Sequence, residues 1–417
     1  MPVDFRALPP EEPEPHNPPS GLIWIFVFFV IAILCAFVIL LLWPQGEATR
    51  SILFWMSITL YPTSVAAFFV LRRYSVFESR RLDAIAWNNA REKFVSDVFA
   101  EASRPLVLIA ATYRFASDPN DDMFEKLWEG STILEARSAP MPDAPPVRAR
   151  WFDEPPGADG KRRFETDSER QQCIREWVFR ALIADIADSV RSLPSDLELV
   201  IQLVLPGAVA EDEALDSWNK QWREAGLSPR TTETLSEAPD LMTFDTWLDQ
   251  INQHREHKAR LLVLLRLNEV IRVLAPNGSA EAGVALLVVP EHVQDRLKIE
   301  PVAKLHRPNE TEEGAVGVAL ARALRWGRTD PDDISRIWKY GLELVTDNSV
   351  ATALVKAGIE AKQMSIDCMV GQSDGVGGWL GVVCAAKAVA QDGAAQLVVA
   401  VNSHGPCFAV VRGDDAW

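Results

Sequence analysis

GQSDGVGGWLG, Gly371 to Gly381, and VNSHGPCFAVV, Val401 to Val411, are the segments from which the fold is read. The first places glycines around Ser373 and then runs into Trp379–Ala390, a loop that opens a helix. The second follows the apolar run Gln396–Val401 and reads as the turn and closing strand, Cys407–Val411, of a terminal hairpin. Further back, apolar runs at Pro105–Ala111, Leu197–Leu205, Gly283–Val289 and Asp333–Trp338 predict strands. Helices are predicted over Asp122–Glu129, Ser168–Leu193, Glu211–Glu224, Gly314–Trp326 and Ser349–Ala357. In Ser168–Leu193, Ile174, Trp177, Val178, Ala181, Leu182 and Ile186 fall along one face. Ala259–Leu267 fits either state, and Ala139–Gly160, rich in Pro, Asp and Gly, reads as a surface loop. Strands alternate with helices throughout, which predicts a layered α/β domain.

Ahead of that domain the composition changes. Leu22–Trp43 is an uninterrupted apolar run. At about 1.5 Å per residue it is long enough to cross a hydrocarbon core about 30 Å thick. Trp24 and Trp43 lie near its ends, where indoles favour the headgroup region. No basic stretch precedes it and a second span follows at once, Ile52–Leu71 with Pro62 near its middle, so a transmembrane hairpin is expected rather than a cleaved signal. Arg72, Arg73, Arg80 and Arg81 follow the second span, whereas the connection Pro44–Ser51 holds only Arg50. The positive-inside bias therefore predicts a two-pass protein of the inner (plasma) membrane with both termini cytoplasmic. The expected organisation is a disordered Pro/Glu-rich tail over 1–21, spans over 22–43 and 52–71, a helical stalk over 72–104 and the cytoplasmic domain over 105–417. The formal net charge of −16 argues against nucleic acid as a partner. Cys35, Cys173, Cys368, Cys384 and Cys407 form no CxxC pair and no Cys/His cluster, so no zinc site, disulfide framework or cofactor is expected.

Several pieces occur in a telling order: PLVLIAATYRF with FEKLWEG, then Ser279–Pro290 (SAEAGVALLVVP), Arg296–Ala303 (RLKIEPVA), Thr329–Gly341 (TDPDDISRIWKYG), and the two segments quoted first. Together they resemble the thiolase-like superfamily, most closely the β-ketoacyl synthases. In that resemblance Arg296–Ala303 is a pair of strands, Gly371–Gly381 is the Gly-His loop with its helix start, and Asn402, Ser403 and Gly405 fit the Asn-Ser-Phe-Gly turn. The likeness spans Pro105 to Arg412. It implies a thiolase-like layered αβαβα domain and, from the family, the option of a homodimer.

The departures bear on function. The resemblance implies a cysteine nucleophile and two histidines, yet no cysteine lies between Cys173 and Cys368. Tyr340 and Gln372 stand where the histidines are expected, and neither shuttles a proton near neutral pH as histidine does. The expected remnant site is Tyr340, Gln372, Asn402 and His404. The expected function is a catalytically inactive adaptor, chaperone or scaffold at the bacterial inner membrane, in a secretion or lipid-synthesis assembly, with other proteins or an acyl-type ligand as partners. The competing class is an acyltransferase or serine hydrolase using Ser373, because Gly371–Gly375 fits G-x-S-x-G. It would need Ser365–Val370 as the strand before the nucleophile, with His404 and Asp347 as partners. A purely structural membrane-anchor subunit is the third class. The GVGG sequence lacks the Lys-Ser/Thr of a phosphate loop, and His254 with His257 reads as a solvated charged face rather than a metal pair.

Overall fold

The structure is a computed structural model that describes residues 8–44, 49–154, 164–206, 211–235, 237–254, 257–312 and 314–413. It divides into two compact units, Val3–Ala100 and Glu101–Trp417.

The first unit is a helical hairpin. Helix α1 (Gly21–Leu42) and helix α2 (Ile52–Ala102) are long and apolar enough to cross a membrane. Large side chains such as Leu22, Phe26, Leu41 and Phe68 are exposed along both, an apolar surface of the kind that meets a bilayer or another protein. Pro62 lies inside α2 without ending it. The Thr59 and Thr63 hydroxyls donate to the carbonyls of Trp55 and Thr59, both at 2.6 Å, so these polar groups carry no unmet demand in an apolar setting. Trp43 and Phe54 meet edge to face at 5.0 Å where the hairpin turns.

The second unit repeats one connectivity twice. Its first half holds β1 (Leu106–Arg114), α3 (Asp167–Ser192), β2 (Glu198–Val204), α4 (Glu211–Glu224), β3 (Thr231–Leu235), α5 (Leu241–His254), β4 (Lys258–Arg266) and β5 (Ala282–Pro290). The second half holds β6 (Ala303–Leu305), α6 (Val316–Gly327), β7 (Ile334–Tyr340), α7 (Leu344–Ala357), β8 (Lys362–Ser365), α8 (Gly377–Asp392), β9 (Ala395–Asn402) and β10 (Gly405–Arg412). All ten strands join one sheet in the order β3-β2-β4-β5-β1-β6-β10-β9-β7-β8, with the two-residue strand Asn309–Glu310 added beside β10. In each half the first inner strand pairs in parallel with two neighbours, β2 with β3 and β4, and β7 with β8 and β9. The closing pairs β4–β5 and β9–β10 are antiparallel. The halves meet at the antiparallel pair β1–β6, where Leu106, Val107 and Leu108 face Leu305, Lys304 and Ala303.

Alternate side chains of these strands enter different cores. Val284, Leu286 and Val288 of β5, with Ala409 and Val411 of β10, face one shared core that holds α5 and α8. Ala285, Leu287 and Val289 face the core under α3 and α4, while Phe408 and Val410 face the core under α6 and α7. The layers are therefore αβαβα, and the strands are nearly continuous apolar runs because both faces are buried.

The structure corrects several expectations. Arg296–Ala303 is not a strand pair: a helix spans Glu291–Leu297, started by Pro290 at φ −61°, and β6 begins only at Ala303. Ser365–Val370 is not a strand: Ser365 ends β8, and its hydroxyl accepts from Cys368 N–H to cap the short helix Ile366–Met369. Ala259–Leu267, ambiguous in sequence, is β4. The Ala139–Gly160 loop is described in part, as far as Glu154, and Val147–Arg148 within it pairs with Ala136–Arg137. The segment 9–19, expected to be a flexible arm, is hydrogen-bonded along α2, for instance from Trp87 Nε1 to the Pro10 carbonyl at 3.1 Å.

The start of α3 fastens the first half internally. Arg170 and Glu281, both buried, pair through two bonds of 2.9 and 2.6 Å. The Glu281 carboxylate also accepts from the backbone N–H of Phe152 at 2.8 Å and of Asn268 at 2.7 Å. Asp167 accepts from Val270, Ile271 and Arg272 N–H in the same way. The Arg170–Glu281 bonds and the Phe152 N–H bond to Glu281 are made away from water, so removing one partner strands the others. Glu281→Ala is expected to cost about 3–5 kcal/mol in chemical denaturation, and Glu281→Gln, which keeps an acceptor, less. Equal losses for the two variants would refute this account.

Candidate functional site

The ends of four elements converge. β7 ends at Tyr340, β9 ends at Asn402, and α5 and α8 begin at Leu241 and Gly377. Between them lies a cavity of ≈ 200 Å³, lined among others by Asp240, Leu241, Tyr340, Trp379, Asn402 and Cys407. That is below the roughly 300–1,000 Å³ of a typical small-molecule site. Because α5 and α8 are equivalent in the two repeats, the cavity sits where matching helix starts face each other.

A helix start offers unpaired N–H groups and a partial positive charge, the setting that activates a thiolate. At the start of α5 that capacity is already taken: Asp240 Oδ1 accepts from Thr243 N–H at 2.9 Å and from its hydroxyl at 3.1 Å. Trp379 at the start of α8 donates its indole N–H to the Pro239 carbonyl at 2.6 Å and stacks on Trp247 with centroids 6.3 Å apart. The two helix starts are thus tied to one another.

Tyr340 fills the remaining approach. Its ring lies against Gly377 so closely that a Cβ there would overlap the ring. Glycine is required at 377 for close approach, and at 375 for its φ of +76° beside Ala238 and Pro206. Burial pushes the Tyr340 phenol upward in pKa, and Asp367 and Asp374 add to the effect. It stays protonated and cannot serve as a base near neutrality. Cys407 is a buried wall residue whose thiol is pushed well up by burial and by Asp240, Glu310 and Asp245, so it does not ionise to a nucleophile.

Of the four expected remnant residues, Tyr340 and Asn402 share this cavity. Gln372 is exposed and is used by its backbone, which exchanges 2.7 Å bonds with Gly278 and Ala280. His404 is exposed in the β9–β10 turn, where its N–H and that of Gly405 donate to Asn402 Oδ1, both at 3.0 Å. Asn402 Nδ2 reaches Glu310 at 3.0 Å, so this side chain organises the turn.

The serine alternative is not assembled. Ser373 is 1% exposed, its hydroxyl has no hydrogen-bond partner, and its carbonyl accepts from Val376 and Gly377 to open α8. Asp347 is ion-paired to Lys339. Neither His404 nor Asp347 is joined to Ser373 by any hydrogen bond among the described residues. His257 meets His292, Nδ1 to Nε2 at 2.9 Å, while the side chain of His254 lies outside the described residues. Among the described residues no group of three or more His, Cys, Asp or Glu is placed to hold a metal ion.

No family model and no curated protein matches the sequence. Solved structures do. The chain aligns over 75% of its length with a PfaC ketosynthase–chain length factor at TM-score 0.51 and 11% identity, covering 43% of that chain. It aligns equally far with the ketosynthase from module 6 of the bacillaene synthase of Bacillus subtilis 168, at TM-score 0.50 and 11% identity, covering 70% of that chain. A third is the oxazolomycin ketosynthase domain OzmH KS7 of Streptomyces albus, with TM-score 0.50 and 14% identity over 75% of this chain and 74% of that one. The soluble domain has the thiolase-like fold.

Within this domain the cavity brings together Tyr340 and Asn402 of the residues singled out in the sequence, along with Asp240, Pro239 and Trp379, which sequence reading missed. An Asp followed by an apolar run, Asp240-Leu-Met-Thr-Phe244, is an ordinary N-cap signal and would have located the start of α5. Nothing local to Trp379 announces its partner, which lies 140 residues away.

Gly377→Ala is expected to destabilise the domain by about 1–3 kcal/mol through overlap with the Tyr340 ring, and a Tyr340→Ala/Gly377→Ala pair to recover most of that loss in thermal unfolding. A fluorophosphonate probe is expected to leave Ser373 unlabelled, as read by peptide mass spectrometry.

Proposed function

We propose that this chain is a membrane-anchored, catalytically inactive ketosynthase-like protein that acts as an adaptor, chaperone or scaffold. The observation that carries this reading is the pair of occupied helix starts at the cavity. Asp240 caps the helix start where a thiolate would be activated, and the Tyr340 ring closes over the opposite one. Among the described residues at the cavity, the Cys407 thiol and the Tyr340 phenol stay protonated near neutral pH and Asp240 is engaged as a helix cap. A scaffold with so small a cavity acts through its surface, so other proteins are its partners, a second copy of the chain among them. Two helices suited to a bilayer and the arginines after the second span support anchoring in the bacterial inner membrane with both termini cytoplasmic, as part of a secretion or lipid-synthesis assembly.

Two measurements test this reading. The full chain in lipid nanodiscs, incubated with acyl-CoA and with acyl-carrier protein, is expected to show no mass increase. A covalent acyl adduct on Cys173, Cys368 or Ser373 would overturn inactivity. Alkaline phosphatase fused after Trp417 is expected to be inactive in cells, while a fluorescent protein fused there fluoresces. Strong phosphatase activity would reverse the orientation.

A further inference from the structure

Residues 9–19 run antiparallel to the membrane-proximal part of α2. At one end Arg91 Nε donates to the Pro9 carbonyl at 2.6 Å, and Arg91 Nη1 pairs with Glu11 at 3.0 Å. Next to it Trp87 Nε1 donates to the Pro10 carbonyl at 3.1 Å. Asn88 matches Glu12 in both senses, donating Nδ2 to its carbonyl and accepting its N–H, each at 3.0 Å. At the other end the Tyr74 hydroxyl donates to the Pro19 carbonyl at 3.0 Å. Trp87, Asn88 and Arg91 fall within about one helical turn and so form a single patch.

The tail's composition suits this role. A proline-rich extended chain makes no internal hydrogen bonds, so its carbonyls stay available, and its fixed φ lowers the entropy lost on docking. From Pro9 to Pro19 such a chain spans about 31 Å, against about 26 Å of helix from Tyr74 to Arg91, so the two run side by side without a loop. An indole donor beside prolines is the chemistry by which aromatic-lined surfaces select proline-rich ligands, and Arg91 adds a preference for acid at the tail's Glu11. The Arg91–Glu11 pair is solvent-exposed and contributes little alone. The bonds to backbone carbonyls carry the contact.

We propose that the patch of Trp87, Asn88 and Arg91 is a binding site for an extended, acidic, proline-rich segment, and that the chain's own tail is its resident ligand, bound in cis. The tail is then a strap that holds the approach to the first span against the stalk. It covers a surface that is open to a partner only when the strap is released.

The test uses the full chain in nanodiscs with Pro13→p-benzoylphenylalanine as a photo-crosslinker, prepared as a mixture of two differently tagged copies. Irradiation is expected to join the tail to stalk peptides around Asn88 within one chain. The exposed double variant Asn88→Ala/Arg91→Ala is expected to lower that yield about tenfold, since it removes several bonds each contributing about 1 kcal/mol. Excess synthetic peptide covering Leu8–Ser20 is expected to lower the yield of the parent chain as well. The proposal is overturned if the cross-link joins differently tagged chains, if no cross-link forms, or if neither the double variant nor the peptide changes the yield.

Discussion

Leu106, Val107 and Leu108 pair with Leu305, Lys304 and Ala303, and through this short antiparallel ladder the two halves of the sheet become one. Each half alone would leave one strand face uncovered. With the halves joined, the inward side chains of β5 and β10 share a core with α5 and α8, and the outer helices cover the remaining faces. The packing of every layer thus follows from that pairing, because a strand buried on both faces must meet a helix on each side. The ladder is short, but it lies beside β5, whose longer register with β1 runs from Leu106–Pro290 to Arg114–Gly283 and supplies the rigidity.

That arrangement also explains where the cavity lies. Equivalent helices start toward one another across the shared core, so their unpaired N–H groups point into the same small space. A fold of this kind lends itself to anion or oxyanion stabilisation. In this chain the capacity is consumed internally, by the Asp240 cap on one side and by the Tyr340 ring over Gly377 on the other. Tyr340 and Gly377 depend on each other: the ring fits only where the helix has no Cβ, and the bare helix start is shielded only by the ring. The scaffold is held together by its core packing and not by the site.

The helical hairpin is built for a different solvent, with two helices long and apolar enough to cross a membrane. Its exposed leucines and phenylalanines would be a liability in water, whereas in a bilayer only backbone satisfaction is demanding and a helix provides it. Beyond the second span the same helix continues with arginines, tryptophan and asparagine on its surface, and there the chain's tail is laid down by hydrogen bonds to proline carbonyls.

How much of this is legible in the sequence differs by element. The two spans, the strands at Pro105–Ala111 and Gly283–Val289, and the long helix from Ser168 are evident because their signal is local: apolar length, apolar runs and helical spacing. The order of the glycine loop and the terminal turn was sufficient to suggest the thiolase-like fold. The failures are equally particular. Arg296–Ala303 lacks a periodicity that separates one helical turn from a strand, and Pro290 decided for the helix. The repeat of β1–β5 in β6–β10 has no repeated sequence, since strands buried on both faces need only be apolar. Gln372 and His404 stand at familiar positions but their side chains face solvent, whereas Asp240 and Trp379, which carry no family signature, define the cavity. The sequence by itself determined which helices are long and apolar enough to span a membrane and which segments enter the core, because hydrophobicity belongs to each residue. Only the tertiary structure decided that the cavity is small, that the Ser373 hydroxyl is buried with no partner among the described residues and that the tail lies on the stalk, because each depends on groups brought together from distant parts of the chain.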